Sequence, residues 1–551
     1  MSVSFVTCRA QLGLYAPLVH VEVSLSSGLP AFSIVGLPAT VVKESKDRVR
    51  AAVVNSNFEF PAGRITVNLS PADIPKRGGR FDLPIALGIL LASQQIRLGG
   101  PHAADPGELE FYGELGLSGE LKPAPGMLLA AAHAARMGHE VVVPLANAEE
   151  VRVLLVGAAH VAHAADGRPG HFSSAAADRP GHVGPVIRTA DHLLAVCAHL
   201  DGSAPLPILS PPSPSAALRI TDAALDLSDV RGQLQAKRAL AIAAAGGHSL
   251  LMRGPPGAGK TMLAMRLASL LPPLTDTEAL EVAAIASASG MDFKAGQFGR
   301  RPIRTPHHTA SAVALVGGGS RARPGEISLA HHGVLFLDEL LEYDRRALEA
   351  LREPLESGVV SIARATYHTQ YPAQFQLIAA MNPCPCGRYG DPLGDCRCTP
   401  QQIAQYRARV SAPLLERFDI HLEVPRVQLS EFEESALPTE NSEVVAARVM
   451  RARSIQVGRQ GKCNARLSDA QIERLCSPDA AGRVLLDRAM TALGFSARTR
   501  QRILKIARTI ADLNGDAQVG ASHVAEAVTY RAFDRRQHEA LSGGSAIWRP
   551  T

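Results

Sequence analysis

The stretch SLLMRGPPGAGKTMLAMRLASLL, at Ser249–Leu271, decides the fold of this sequence. It contains the pattern G-x-x-x-x-G-K-T at Gly254–Thr261. A strand-like SLLM precedes the pattern and a helix-like MLAMRLASLL follows it, which is the context that a phosphate-binding P-loop requires. Glycines let backbone N–H groups turn toward phosphates, and the helix N-terminus adds a favourable dipole. The residues predicted to hold the nucleotide are Gly254, Pro255, Pro256, Gly257, Ala258, Gly259, Lys260 and Thr261.

A second motif, GVLFLDEL at Gly333–Leu340, predicts a buried strand that ends in two carboxylates. We expect Lys260 to contact the β- and γ-phosphates and the Thr261 hydroxyl to ligate Mg²⁺. Asp338 is predicted to hold Mg²⁺ and its waters, and Glu339 to polarise the attacking water. The two motifs together predict an ATP hydrolase with Mg²⁺ as its cofactor.

Three further polar residues extend the predicted catalytic set. Asn382 ends the apolar run FQLIAAMN, where it would lie between the γ-phosphate and the water; the alternative is a turn asparagine at a strand end. Arg417 is predicted to be an arginine finger that contacts a neighbouring subunit's γ-phosphate. Arg498 is the predicted second sensor, with Arg500 and Arg502 left as alternatives, and the plainer interpretation of each arginine is a surface salt bridge. The predicted catalytic residues are Lys260, Glu339, Asn382, Arg417 and Arg498.

Four of the eight cysteines lie close together in NPCPCGRYGDPLGDCRCTP. Cys384, Cys386, Cys396 and Cys398 form two C-x-C pairs on a loop rich in glycine and proline. Four thiolates suit a tetrahedral, structural zinc ion. Two disulfides or free thiols are the alternatives, and disulfides do not suit a reducing compartment.

Composition sets outer limits on the class of protein. The chain has 551 residues, 46% hydrophobic and 20% charged, so we expect several globular domains. The net charge of +5 is compatible with nucleic-acid binding without demanding it. The N-terminus lacks the pattern of a secretory signal. The longest apolar stretch, Leu83–Ala92, is far shorter than the roughly 20 residues that cross a bilayer. We therefore expect a cytoplasmic protein with no membrane partner.

The chain is predicted to contain four segments. Residues 1–165 alternate strand-like and helix-like runs, and 166–215 form an insertion and a proline-rich linker that include the echo DGRPGH and DRPGH. Residues 216–425 form the nucleotide-binding core, with the cysteine loop at 384–398. Residues 426–545 predict a helical lid. The predicted fold class is therefore α/β and multidomain.

From 226 to 513 the sequence resembles the ComM/YifB group of magnesium-chelatase-like AAA+ proteins. The resemblance is carried by RPIRTPHHTAS, RPGEISLAHHGVLFLDEL, LREPLESG, MNPCPCG and SARTRQRILKIARTIADL. It implies an AAA+ core with a parallel sheet, a helical lid, and inserted elements near Arg301–Ala330 and Val359–Phe375. It also implies a homo-oligomer, a hexameric ring that acts on DNA and drives branch migration during natural transformation. A magnesium-chelatase-type ATPase subunit and an AAA+ protein remodeller remain the rival predictions.

The N-terminal segment resembles the peptidase domain of Lon, which has an S5-like α/β fold. SPADIPKRGGRFDLPIALGIL and GELGLSGELKPAPGMLLAAAHAARMG are similar to the stretches that carry the catalytic serine and lysine of that domain. Arg80 and Ala130 stand at those two positions here, which implies that the domain has no peptidase chemistry. The basic runs Lys43–Arg50 and Pro75–Arg80 are predicted to form a DNA-binding surface.

Overall fold

The computed structural model describes residues 2–97, 106–163, 185–211, 225–291, 295–319, 322–364, 367–391, 394–426 and 440–531. They form two compact units. The first unit comprises 1–221, 275–300 and 363–371, and the second comprises 222–274, 301–362 and 372–551. Within the described ranges, no helix is both long enough and apolar enough to cross a membrane.

The first unit is built on a mixed sheet. Its strands are β1 (Ser2–Arg9), β2 (Leu18–Ser26), β3 (Ala31–Val35), β4 (Arg64–Ser70), β5 (Leu109–Phe111), β6 (Glu114–Leu115), β7 (Leu121–Lys122), β8 (Glu140–Pro144) and β9 (Ile187–Ala190). Among the described residues, the sheet order is β3-β4-β2-β1-β5-β8-β9, and β6 pairs with β7 separately. The helices of this unit are Thr40–Asn55, Asp82–Ala92, Met127–Met137, Ala148–His163, Leu193–Leu200 and Asp276–Ser289.

Hydrophobic periodicity explains these elements. Strand β2 alternates, with Val19, Val21 and Val23 fully buried, as expected for a strand with one face on the core. The helix Asp82–Ala92 is apolar on nearly all sides and is buried over almost its whole length, which is typical of a core helix.

The first unit extends past the boundary predicted at residue 165. Strand β9 pairs in parallel with β8, and Leu206 and Leu209 of the proline-rich stretch are buried in the same core. The sequence IRTA is too short to indicate a strand. The predicted insertion and linker therefore contain a strand and a helix of the first unit that the sequence does not predict. The echo of DGRPGH, and the end of the linker beyond 211, lie outside the described residues.

The second unit contains the parallel sheet that the P-loop motif predicts. Its strands are β10 (Leu250–Arg253), β11 (Ile303–Arg304), β12 (Gly317–Gly318), β13 (Arg323–Pro324), β14 (Val334–Leu337), β17 (Gln376–Met381) and β18 (Ile420–Glu423), while β15 (Val359–Arg364) begins in this unit and β16 (Tyr367–Pro372) lies almost wholly in 363–371 of the first unit. In the described part of the chain the sheet order is β11-β14-β17-β10-β18, with every pair parallel. Strands β15 and β16 form a ribbon within the predicted insertion Val359–Phe375.

The helices of this unit surround the sheet and then continue as the C-terminal region. They are Leu234–Gly246, Lys260–Arg266, Ala312–Val316, Glu326–Leu329, Arg345–Glu349, Arg352–Ser357, Pro400–Arg407, Ala412–Leu415, Ser442–Gln460, Asp469–Leu475, Ala480–Leu493, Ala497–Asn514 and Ala521–Thr529. The predicted fold class, α/β with a parallel sheet and a helical C-terminal region, is confirmed.

The C-terminal helices pack on the core through one apolar face. The helix Ala497–Asn514 buries Ile503, Ile506 and Ile510 at helical spacing. After the helix Ala521–Thr529, the Tyr530 carbonyl accepts a 2.9 Å hydrogen bond from the His421 backbone N–H. Arg531 is fully buried, and its Nη1 donates to the Phe418 carbonyl.

Candidate nucleotide site

The P-loop connects β10 to the helix Lys260–Arg266. Its glycines are required for two different reasons, a close backbone contact and a positive φ. A Cβ at Gly254 would lie 2.1 Å from the Val424 carbonyl oxygen, so no side chain fits there. Gly257 and Gly259 have φ values of +77° and +86°, in the left-handed region that favours glycine. The sequence pattern therefore forms the turn that phosphate binding requires.

Lys260 lies inside this loop with its ammonium group bonded to the protein. Its Nζ donates to the Gly254 carbonyl at 2.8 Å, to the Pro255 carbonyl at 2.9 Å and to Asn382 Oδ1 at 3.1 Å. Burial lowers the pKa of Lys260, and the carboxylates of Asp338 and Glu339 oppose that shift. The Lys260–Asn382 bond joins two residues that the sequence predicts to act together.

Thr261 and Asp338 form the second pair of the site. The Thr261 hydroxyl donates to Asp338 Oδ2 at 2.6 Å, and the Glu339 backbone N–H donates to Asp338 Oδ1 at 2.9 Å. A hydroxyl and a carboxylate at the mouth of a phosphate loop are oxygen ligands of the kind that Mg²⁺ prefers. These residues therefore fit the predicted metal.

Glu339 follows β14 in a strained backbone conformation, with φ at +50°. Its side chain is 55% exposed, and its Oε2 lies 3.4 Å from His308 Nδ1. His308 follows β11, which pairs with β14, so the parallel pairing brings its segment beside Glu339. Sequence reasoning missed this neighbour, because only the pairing of a two-residue strand reveals it.

These groups surround one cavity of about 380 Å³. Parallel strands place the residues that follow them at the same edge of a sheet, which explains why Asp338, Glu339 and Asn382 meet the P-loop. Met262 also lines the cavity and was not predicted. The residues that the cavity brings together are Pro256, Gly257, Ala258, Gly259, Lys260, Thr261, Met262, Asp338, Glu339 and Asn382, with Ala380 and Met381.

The two predicted arginines do not line this cavity. Arg417 pairs with Glu356 and donates from Nη1 to the Pro413 carbonyl at 2.6 Å, and burial lowers the pKa of its guanidinium. Arg498 is 67% exposed and lies 3.8 Å from Glu416. Arg502, one of the alternatives for the second sensor, donates to the Arg417 carbonyl at 2.9 Å and pairs with Asp419.

The four predicted zinc ligands do come together. The Sγ atom of Cys384 lies 3.4 Å from that of Cys386 and 3.7 Å from that of Cys396, and the last two are 3.6 Å apart. All four sulfur atoms, including that of Cys398, lie within 4.8 Å of one another. A tetrahedron with Zn–S bonds of about 2.3 Å has sulfur atoms about 3.8 Å apart, so the arrangement fits one zinc ion.

The two positions that resemble a peptidase centre, Arg80 and Ala130, are both buried. Arg80 is buried, and its Nη2 donates to Gln11 Oε1 at 2.9 Å and to the Pro125 carbonyl. Ala130 is fully buried. Neither residue supplies a nucleophile or a base.

The predicted basic DNA-binding surface of the first unit is wrong in part. Lys76 is fully buried and donates to the Pro71 carbonyl, and Arg80 is buried as well. Arg48 forms a 2.7 Å ion pair with the buried carboxylate of Asp82. These cations satisfy internal acceptors, because a buried carbonyl or carboxylate without a partner is costly.

The fold and the site together define a P-loop ATPase of the AAA+ class. The family described as magnesium chelatase, subunit ChlI, matches residues 226–432. The family described as subunit ChlI of Mg-chelatase matches 21–147, and the ChlI C-terminal family matches 439–531.

Comparison with individual proteins narrows the class. The chain is 46% identical to the YifB protein of Escherichia coli K12 over 537 residues, covering 97% of this chain and 98% of that protein. It is 45% identical to the competence protein ComM of Haemophilus influenzae over 536 residues, with the same coverage. The DNA replication licensing factor Mcm6 of Drosophila melanogaster is 30% identical over 131 residues, 22% of this chain and 15% of that protein. The chain belongs to the ComM/YifB family of magnesium-chelatase-like AAA+ proteins, as its motifs predict.

Proposed function

We propose that this AAA+ ATPase is a DNA motor: a hexameric, ring-forming helicase that promotes branch migration during natural transformation. The observation that carries its ATPase part is the cavity in which Lys260, Thr261, Asp338, Glu339 and Asn382 meet, and its DNA part rests on the relatives. A cytoplasmic location is part of the proposal, because both ATP and the DNA substrate would be found there.

The side chains divide the work of hydrolysis. Lys260 neutralises charge on the phosphates of ATP, exchanging its carbonyl acceptors for phosphate oxygens. Thr261 and Asp338 hold Mg²⁺, which supplies further neutralisation of the phosphate charge when it is bound. Glu339 accepts a proton from the attacking water, and Asn382 orients that water. Catalysis then rests on positioning and electrostatics, as in other phosphoryl transfers.

The ring in this proposal rests on Arg417. It does not line the cavity of its own subunit, and its Nε has no hydrogen-bond partner among the described residues. We propose that it serves the cavity of a neighbouring subunit, with Arg498 acting as the second sensor.

Mixing two inactive variants tests this arrangement. Lys260→Ala lacks a working P-loop and Arg417→Ala lacks the finger. A mixed ring contains interfaces where an intact P-loop meets an intact finger, so part of the ATPase activity should return on mixing. Persistent inactivity at every mixing ratio, with mixed oligomers demonstrated, would contradict a shared site.

DNA as the substrate is supported by the family relationship with a protein named for competence and by the partial similarity to a replication factor. The test is the ATPase rate with and without single-stranded and forked DNA across a salt series. Stimulation should fall steeply with salt, because phosphate contacts release counterions. An ATPase indifferent to every DNA would contradict the motor and favour protein remodelling.

A second candidate is a magnesium-chelatase-type ATPase subunit, which the descriptions of the matching families favour. Reconstitution with a porphyrin, Mg²⁺ and chelatase partner subunits would test it. Metal insertion that depends on Lys260 would replace the DNA motor as the leading proposal.

Zinc binding is a further part of the proposal. The cysteine loop, residues 384–398, would hold one zinc ion through Cys384, Cys386, Cys396 and Cys398, since the spacing of the sulfur atoms fits a tetrahedron. Four protein ligands leave no open position, so the ion would be structural.

A further inference from the structure

We infer that metal binding by the cysteine loop holds the P-loop in its phosphate-binding shape, so that nucleotide affinity depends on the bound metal. The inference rests on the zinc site proposed above and is independent of the DNA substrate. Two contacts of the loop carry it, one to the P-loop and one to the strand end that bears Asn382.

The first contact joins Gly387 to Pro256. A Cβ at Gly387 would lie 2.5 Å from Pro256 Cδ and 2.8 Å from Pro256 Cγ, so the backbone of the cysteine loop lies directly on the proline ring. Gly387 is the residue after Cys386, and its N–H donates to the Cys384 carbonyl at 2.9 Å. The part of the loop between the first two ligands and the part that contacts the P-loop are therefore the same turn.

The second contact lies beside Asn382, at Pro383, the residue that precedes Cys384. Arg407 Nε donates to the Pro383 carbonyl at 3.2 Å, and its guanidinium lies 5.2 Å from the centre of the Tyr389 ring. The Tyr389 N–H donates to Cys384 Sγ at 3.3 Å. The buried Cys384 sulfur is thus joined through Tyr389 and Arg407 to Pro383, which follows Asn382, the residue whose side chain bonds Lys260.

The metal would add order to this loop beyond the hydrogen bonds and the Arg426–Asp391 ion pair that its described residues make. The described residues between Asn382 and the helix Pro400–Arg407 form no helix or strand, only turns. Four thiolates without a cation repel one another, and thiols attract one another only weakly. A metal that binds all four closes the loop and adds binding free energy to the folded state. Releasing it would loosen the turn that bears Gly387 and the segment that follows Asn382.

The chain offers a matched pair of glycines for the test. Gly387 and Gly390 lie in the same loop with φ values of +75° and +80°, so alanine strains both equally. Only Gly387 faces Pro256, whereas a Cβ at Gly390 meets no atom within 4 Å. Gly387→Ala therefore breaks the contact, and Gly390→Ala controls for strain.

The experiment uses the full chain. Zinc per chain is measured by elemental analysis, and the Kd of a fluorescent ATP analogue is measured with Mg²⁺ present before and after zinc is removed by a chelator. We expect about one zinc per chain. Removal should weaken nucleotide binding about tenfold, and added Zn²⁺ should restore it. Gly387→Ala should keep its zinc and weaken binding similarly, while Gly390→Ala keeps both.

Three results would overturn the inference, and they are distinguishable. A chain that neither contains nor takes up zinc removes the metal site itself. If a zinc-containing chain binds the ATP analogue with the same Kd after zinc removal, the metal site stands but its effect on the P-loop is excluded. Equal Kd values for Gly387→Ala and Gly390→Ala would also exclude an effect of the cysteine loop on the P-loop. None of these readouts involves DNA, so failure of the DNA motor leaves them intact.

Discussion

Both units of this chain bury charged side chains, but they do so in different ways. In the first unit the Arg9 guanidinium donates hydrogen bonds to the Glu110 carboxylate, with nitrogen–oxygen distances of 2.7 to 3.1 Å. His139 and Tyr112 bond the same carboxylate. In the second unit Lys260 and its neighbours lie at the ends of parallel strands and face a cavity. The Glu110 carboxylate is fully buried among its partners, whereas Lys260, Thr261 and Asp338, although bonded to protein atoms, line an open cavity. Burial of charge alone therefore does not indicate a site, and a charge that borders a cavity does.

Replacement of Lys260 by alanine should have the largest effect on activity. Loss of a preorganised cation at the phosphates should lower the ATPase rate by about 10³-fold. Steady-state phosphate release measures it, with circular dichroism to show that the fold is kept. Lys122→Ala, at an exposed lysine of the first unit, should leave the rate unchanged. A large loss of ATPase rate in Lys122→Ala would contradict the contrast between the two units.

Replacement of Arg9 by methionine tests the opposite unit. It leaves the buried Glu110 carboxylate without its main cation, which should cost at least about 3 kcal/mol of stability. Denaturant unfolding of the first unit measures this loss, and the ATPase rate of the folded protein should not change. The exposed Arg64, on β4 of the same sheet, is the control, and Arg64→Met should alter stability by less than about 0.5 kcal/mol.

Asparagines allow a sharper comparison. Asn382→Ala removes the amide that bonds Lys260 and should lower kcat about tenfold or more, the range of one positioned polar group. Asn147 of the first unit is buried and bonds the backbone of Ala124 from both ends of its amide. Asn147→Ala should lower the melting temperature and leave kcat unchanged. An equal fall in kcat for both variants would show that Asn382 is structural.

The smallest effect is expected at His308. Removing this neighbour should leave the Glu339 carboxylate less well positioned and lower kcat a few-fold, about 1 kcal/mol or less, with KM unchanged. His307, whose ring lies 4.1 Å from that of His308, bonds Thr309 instead. His307→Ala is therefore the matched control. A change in KM alone at His308 would indicate a role in binding.

The sequence predicts those parts of the molecule whose chemistry is local. The P-loop and the carboxylates after β14 are specified by a few adjacent residues, and the four cysteines by their spacing. What it does not predict depends on distant pairing or on the direction of a side chain. Strand β9 is recognised only through its pairing with β8, and His308 only through the pairing of β11 with β14.

Basic residues show the second difficulty most clearly. Lys76 and Arg80 stand in a run that predicts a charged surface, yet both turn inward to carbonyl groups. No local pattern tells a solvated lysine from one that satisfies a buried acceptor. The same holds for Arg417, whose partner Glu356 lies far from it in the sequence.

The hydrogen bonds of Tyr530 and Arg531 have a consequence for how the second unit unfolds. Tyr530 and Arg531 bond the backbone around β18, the edge strand beside the P-loop strand β10. The C-terminal helices and the sheet are thus joined by these hydrogen bonds as well as through their shared apolar core. We expect them to melt as one cooperative transition in calorimetry. Arg531→Ala should lower the midpoint of this transition, because the bonds of Arg531 to Phe418 and His421 would be lost while the shared core remains.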